Sequence, residues 1–301
     1  MWRWAAGAAL ATVLAGVALA LFVSPPALLS FADGLMGGGQ GAMRVGRAVP
    51  FGTHGQTLDV WRPAGQVASR PVIIFWYGGG WVKGDRRAYS FAARAFAKAG
   101  FVVVVPDYRK VPEVRFPAFV QDGAEAVKWA RDHVAEFGGD PARIALAGHS
   151  AGAYTVAMLA LDKRWLAAEG VDPGIVKAGI GLSGPYDFYP FTSQRAIDAM
   201  QGVADPRMTQ PLHFARKDAP PLLLVTSGGD TVVRPKNAIN LAARLRALGA
   251  PVELKNYPAL THEEVVMALS VPFRGKGPVL ADSVTFLNKV LARTANEPTL
   301  R

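Results

Sequence analysis

The chain has 301 residues, half of them hydrophobic and 19% charged, and its formal net charge is +10. That length allows one large domain or two small ones. There is no cysteine, which excludes disulfides, thiolate catalysis, cysteine lipidation and thiolate metal sites. The Lys and Arg residues are scattered, with no run beyond pairs such as Arg86-Arg87, so the basic stripe expected of a nucleic-acid groove is missing. General solubility and attraction to an anionic membrane surface are the remaining uses of the charge.

The amino terminus reads apart from the rest. Ala5 to Val23 is a run of 19 mostly apolar, uncharged residues, and after Arg3 no charge appears until Asp33. As a helix it would reach roughly 28 Å, close to the hydrocarbon thickness of a bilayer. Trp2 and Trp4 suit the headgroup level, and Pro25-Pro26 is expected to stop the helix. The length favours a retained anchor over residues 4–24. A cleaved signal, with "SFA" before Asp33 as its site, and a buried helix are the alternatives. Residues 1–32 are therefore assigned to an anchor or signal peptide and residues 33–50 to a glycine-rich linker. Either membrane reading places the globular part, for a bacterial chain, in the periplasm or outside, tethered to the inner membrane or secreted. Oligomeric state is not encoded in any visible pattern.

From residue 51 the pattern becomes regular. "PVIIFW" (71–76) and "FVVVVP" (101–106) are short apolar, largely β-branched runs suited to strands buried on both faces. Further strands are expected at 143–148, 177–184, 221–228 and 251–257. Helical spacing lies between them, at 85–99, 119–137, 237–248 and 283–292. This alternation predicts an α/β fold with a mostly parallel central sheet and helices on both faces, over residues 51–301. Residues 185–218 break the rhythm and are read as a short cap insertion over the carboxyl edge of the sheet, where such folds bind ligands.

Three features on that edge carry chemistry. "GHSAG" (148–152) fits Gly-x-Ser-x-Gly between a strand and a helix; Ser150 would stand on a strained turn whose neighbours two residues away must be small. Asp230 follows one later strand and His262 the next. The order Ser, Asp, His and the shared sheet edge suit a nucleophile, an orienting carboxylate and a general base. Asp187 is the alternative acid. His54, His133 and His213 have no comparable placement, and His149 is read as structural. "YGGGW" (77–81) leaves backbone amides bare, so Gly79, Gly80 and Ala151 are expected to hold an oxyanion. Tyr77 and Trp81 are the candidates for the substrate pocket.

Two decoys fail on context. Gly179 to Gly184 matches Gly-x-Gly-x-x-Gly, but Pro185 follows instead of a helix. "THEEV" (261–265) lacks the second histidine of a zinc helix.

Taken together, "YGGGW", "PDYR" (106–109), "FGGDPARIALAGHSAGA" (137–153) and the Asp230 and His262 loops resemble the α/β-hydrolase esterases of the carboxylesterase and hormone-sensitive-lipase-like group. Tyr77 stands where that family commonly has His. His149 stands where lipase-like members often have Asp, which leans toward feruloyl-esterase-like and formamidase-like bacterial enzymes. The resemblance implies a serine hydrolase acting on small or medium carboxylic esters through an acyl-enzyme, with no metal and no cofactor. Amide, formamide or peptide cleavage by the same three residues is one alternative. A catalytically dead, membrane-tethered binding protein is the other.

Overall fold

The computed structural model describes residues 24–65 and 69–294. The expected anchor, residues 4–24, falls almost wholly outside them. In chain order the elements are α1 (Pro25–Asp33), β1 (Ala42–Phe51), β2 (Gln56–Pro63), β3 (Arg70–Trp76), α2 (Ser90–Lys98) and β4 (Val102–Pro106). Then follow α3 (Ala118–His133), β5 (Gly139–His149), α4 (Ala151–Leu161), α5 (Arg164–Ala168), β6 (Val176–Leu182) and α6 (Gln194–Met200). The chain continues with β7 (Leu222–Thr226), α7 (Lys236–Ala247), β8 (Val252–Asn256), α8 (His262–Met267) and α9 (Val279–Thr294).

The eight strands form one sheet in the order β1-β2-β4-β3-β5-β6-β7-β8. β1 and β2, and β2 and β4, pair antiparallel; the remaining neighbours are parallel. The six parallel strands are those expected from the apolar runs. Every residue of β4 and β7 is buried, as a strand covered by helices on both faces requires. α4 is buried all round, which its uninterrupted apolar sequence allows. Pairing of Trp76 with Gly148 and of His149 with Leu182 brings the carboxyl ends of β3, β5 and β6 to one edge. The segment 185–218 lies between β6 and β7 and holds α6 and two short 3-10 turns.

Pro25 and Pro26 occupy the first turn of α1, where a missing N–H costs nothing, and the helix they are expected to stop lies outside the described residues. The amino-terminal stretch corrects one expectation: residues 33–50 are not a linker. Asp33 is buried and paired with Arg94, with Oδ2 accepting from Nε at 2.9 Å and Nη2 at 2.7 Å, while Oδ1 accepts from the Val271 amide at 2.8 Å. Gly38 packs so tightly on this carboxylate that a methyl group there would lie 2.1 Å from Oδ2. Gly38 is therefore required by close approach rather than by flexibility. β1 then closes the sheet edge against β2, with register shifts between Arg44 and Val49 that blur its alternation. The bond between Ala32 and Asp33 lies inside α1, whose Leu29 and Ser30 are buried and whose Ser30 Oγ donates to Ala88 O. A signal cleavage there would remove part of the fold.

Candidate active site

Ser150 joins β5 to α4 with φ 54° and ψ −119°, a conformation few L-residues adopt. Its amide donates to Leu182 O at 2.9 Å, which holds the turn against β6. The flanking glycines are demanded by contact. A methyl on Gly148 would lie 2.5 Å from the Gly152 carbonyl carbon, and one on Gly152 would lie 2.1 Å from Trp76 O. The strained turn is thus wedged between β3 and the first turn of α4.

Asp230 and His262 come from the loops after β7 and β8. His262 Nδ1 and Asp230 Oδ2 are 2.8 Å apart, with both side chains almost wholly buried. Burial by itself raises the Asp230 carboxyl. The hydrogen bond and charge of His262 and the amides of Val233 and Val232 outweigh it and hold the group below the usual carboxylate range. An ionised Asp230 places the proton of His262 on Nδ1 and leaves Nε2 as the free acceptor. The capping box of Thr261 and Glu264 fixes the start of α8, so His262 enters on a defined backbone. Asp187, the alternative acid, instead accepts from Asn240 Nδ2 at 2.6 Å. His54 pairs with Thr53, His133 with Glu136, and His213 packs on Phe214, so none of them joins the site.

His149 sits beside this pair, its ring 4.8 Å from that of His262. Its Nε2–H donates to His262 O at 3.1 Å, so the imidazole steadies the backbone of the other histidine. Burial, and then the neighbouring His262 charge, push its pKa down to about 3, and it remains neutral. Ser150 follows His149 directly in the chain, one residue from a ring whose centroid lies 4.8 Å from that of His262. Ser150 Oγ makes no hydrogen bond to His262 in this geometry; such bonds commonly tighten only with substrate in place.

The glycine loop lies on the other side of Ser150. A methyl on Gly78 would lie 3.1 Å from Ser150 Cβ and 2.7 Å from His149 Nδ1, so this loop runs directly over the elbow. Gly79 has φ 138° and Gly80 φ 61°. Among the described residues no acceptor takes the amides of Gly79, Gly80 or Ala151.

Tyr77 is not a pocket residue. It is fully buried behind the loop, its hydroxyl donating to Asp107 Oδ1 at 2.9 Å and accepting from Lys110 Nζ at 3.0 Å. Its ring stacks on Tyr108 at 4.8 Å, and the Tyr108 hydroxyl donates to Tyr77 O at 3.2 Å. Arg86 pairs with both Asp107 and Asp59, and Arg109 grips Asp122. The "PDYR" stretch is thus the strut that holds the glycine loop, a role with no pattern of its own in the sequence. Trp81 is 4% exposed with φ 61° and packs among Phe119, Tyr154 and Phe188. It forms the floor of an aromatic wall beside the loop rather than an open surface.

The BD-FAE family model matches residues 58–245. The chain belongs to the BD-FAE family. Within this BD-FAE chain the matched span holds the glycine loop, Ser150 and Asp230, while His262 lies beyond it. The chain is 35% identical over 213 residues to Esterase LipC of Mycobacterium tuberculosis (strain ATCC 25618 / H37Rv), covering 64% of this chain and 53% of that one. Carboxylesterase NlhH of the same organism is 31% identical over 221 residues, 67% of this chain and 69% of that one. The isoprenylcysteine alpha-carbonyl methylesterase ICME of Arabidopsis thaliana is 28% identical over 263 residues, 80% and 61% of the two chains. The BD-FAE chain spans about half to three fifths of the first relatives it matches. Among solved structures, the metagenomic carboxylesterase EstE1 superposes with a TM-score of 0.71 at 23% identity, covering 88% of this chain and 95% of that one. Thermogutta terrifontis esterase 2 phosphonylated by sarin superposes at 0.70 and 21% identity, covering 83% and 95%. These likenesses establish the α/β-hydrolase fold.

Proposed function

We propose that this chain is a serine hydrolase that cleaves small or medium carboxylic esters through an acyl-enzyme. The observation that carries the reading is the buried 2.8 Å contact between His262 and Asp230 beside a strained Ser150. The names of the relatives support it. In this reading Ser150 Oγ attacks the ester carbonyl carbon as its proton passes to His262 Nε2. Asp230 keeps the other imidazole nitrogen protonated and offsets the charge that forms. The carbonyl oxygen becomes an oxyanion and receives the amides of Gly79, Gly80 and Ala151, each worth roughly 3–4 kcal/mol to the transition state. Collapse breaks the bond to the alcohol, which leaves with the proton from His262. Water then repeats the sequence on the acyl-Ser150 ester, using the same base, and frees the carboxylic acid.

Hydrolysis of p-nitrophenyl acetate, butyrate and octanoate by the full-length chain, compared with Ser150→Ala, tests this. Turnover by the parent at some chain length, lost in the variant, is expected. Absence of turnover at every chain length overturns the reading.

We further propose that residues 4–24 hold the domain at a membrane, facing the periplasm or exterior if the chain is bacterial. Among the described residues no helix is long and apolar enough to cross a membrane. The support is the apolar run itself and, shortly after it, Phe31, Leu35 and Met36, which are 66%, 74% and 57% exposed. Apolar side chains so open to water, next to an apolar segment, suit a lipid surface. The full-length chain should sediment with membranes and resist release by high salt; release by salt alone contradicts insertion.

A further inference from the structure

The cap contributes one cation to the active-site edge that has no work inside the fold. Arg195, in the first turn of α6, lies across the open face of Gly80. A methyl built on Gly80 would sit 2.9 Å from Arg195 Cδ and 3.7 Å from Nη1. Among the described residues the guanidinium has no hydrogen bond and no ion pair. Arg195 is exposed at the surface, in contrast with Arg86, Arg94 and Arg109, which pack into the body of the protein and each hold a buried carboxylate.

The acids that could have neutralised Arg195 are engaged elsewhere. Asp198, one turn along α6, accepts from Gln194; Asp187 accepts from Asn240; Asp107 holds Tyr77 and Arg86; Asp230 holds His262. The helix that carries Arg195 is tied down, because Ala199 O accepts from the Phe116 amide at 2.8 Å. The backbone that carries Arg195 is therefore fixed beside the glycine loop. An unpaired planar guanidinium there is matched to a carboxylate.

The geometry points to Arg195 as a specificity residue that recognises a carboxylate on the acyl part of the ester, a few bonds from the reacting carbonyl. This rests on the reading of Ser150 as nucleophile and Gly80 as an oxyanion donor. The acyl side is chosen by topology. Arg195 and Gly80 stand on the β3 side of Ser150, whereas His262, which must hand its proton to the departing alcohol, arrives from the β8 side. Cation and leaving group thus lie on opposite flanks of the scissile bond. Phe188, half-buried and stacked on Trp81, adds an apolar side chain beside the loop that would pack on the methylenes between carbonyl and carboxylate.

The test uses the full-length chain and two esters of similar acyl length, p-nitrophenyl monosuccinate and p-nitrophenyl valerate. The ratio of kcat/KM for the anionic over the neutral ester should fall roughly tenfold or more in Arg195→Gln and recover in part in Arg195→Lys. A ratio within about twofold of the parent overturns the inference, as does an equal fall for both esters, which would make Arg195 mere packing. A second measurement does not need turnover. Calorimetry with monomethyl succinate should show binding to Ser150→Ala that is weakened in Ser150→Ala/Arg195→Gln. Binding lost with Arg195 in a chain that hydrolyses neither ester would keep this inference and sink the hydrolase reading. Turnover with an unchanged ratio would do the reverse.

Discussion

The two loops that flank Ser150 are secured by opposite means. On the β7–β8 side, one hydrogen bond joins Asp230 to His262, and both residues take part in the proposed reaction. On the β3 side, the glycine loop offers only backbone to the substrate. Its position depends on Tyr77, Tyr108, Asp107 and Lys110, which are joined to one another and to the loop by hydrogen bonds. The first loop concentrates chemistry and positioning in the same atoms. The second separates them, because a bare peptide N–H cannot both face a substrate oxygen and brace itself. Damage to the first side should therefore abolish catalysis, and damage to the second should erode it.

The largest effect is expected where the two sides meet. Ser150→Ala should lower kcat/KM for a short p-nitrophenyl ester by at least about 10⁴-fold, leaving the weak rate that oxyanion donors and binding sustain alone. Asp230→Asn keeps the shape of the β7–β8 side but permits the wrong imidazole tautomer, and kcat should fall by about 10³- to 10⁴-fold. A loss below tenfold would mean that the pairing is structural. On the β3 side, Tyr77→Phe removes the hydroxyl between Asp107 and Lys110 while keeping the ring stack; a fall of about tenfold in kcat is expected, near the net worth of one buried hydrogen bond. A fall matching that of Asp230→Asn would erase the distinction drawn between the sides.

Gly152→Ala tests the wedge beneath both loops. The added methyl meets Trp76 O and Tyr77 O, and overpacking of this kind costs about 1–3 kcal/mol. Thermal unfolding should move down by roughly 2 to 5 °C. A pH-dependent effect concerns His149, the neutral imidazole beside the Asp230–His262 pair. Its pKa in the fold is held at about 3, below the ordinary 6.5, chiefly by burial. Between those values the unfolded chain takes up a proton that the folded chain refuses. The stability tied to His149 is thus complete above about pH 6.5 and drains away at up to about 1.4 kcal/mol per pH unit as pH falls toward 3. Urea midpoints measured from pH 7 to 4 should fall less steeply in His149→Gln than in the parent, whatever the offset between the curves. Parallel curves would show that His149 is not buried uncharged.

The six parallel strands were legible because burial on both faces leaves an unbroken apolar run that few other local structures share. β1 and β2 were not. β1 is an irregular edge strand with charged and glycine residues, and its place depends on pairing with β2 and on Asp33 reaching Arg94 from 61 residues away. The glycines after Asp33 read as a linker because flexibility and close approach favour the same residue. At the site, Ser150 and its glycines were readable because an elbow imposes small residues at fixed spacing. Asp230 and His262 followed from chain order and their place after strands. Tyr77 was misread as pocket-lining because adjacency to a functional loop says nothing about which way a side chain faces.

The sequence alone determined the alternation of strands and helices, the elbow around Ser150 and the bare amides of the glycine loop, since each is a local pattern with a local physical cause. Tertiary structure alone decided that Asp230 rather than Asp187 meets His262, that Tyr77 turns inward onto Asp107, and that Arg195 comes to rest on Gly80 without a partner. Those outcomes depend on the register of eight strands and on which charges find each other across the sheet edge, and short-range spacing along the chain carries no record of either.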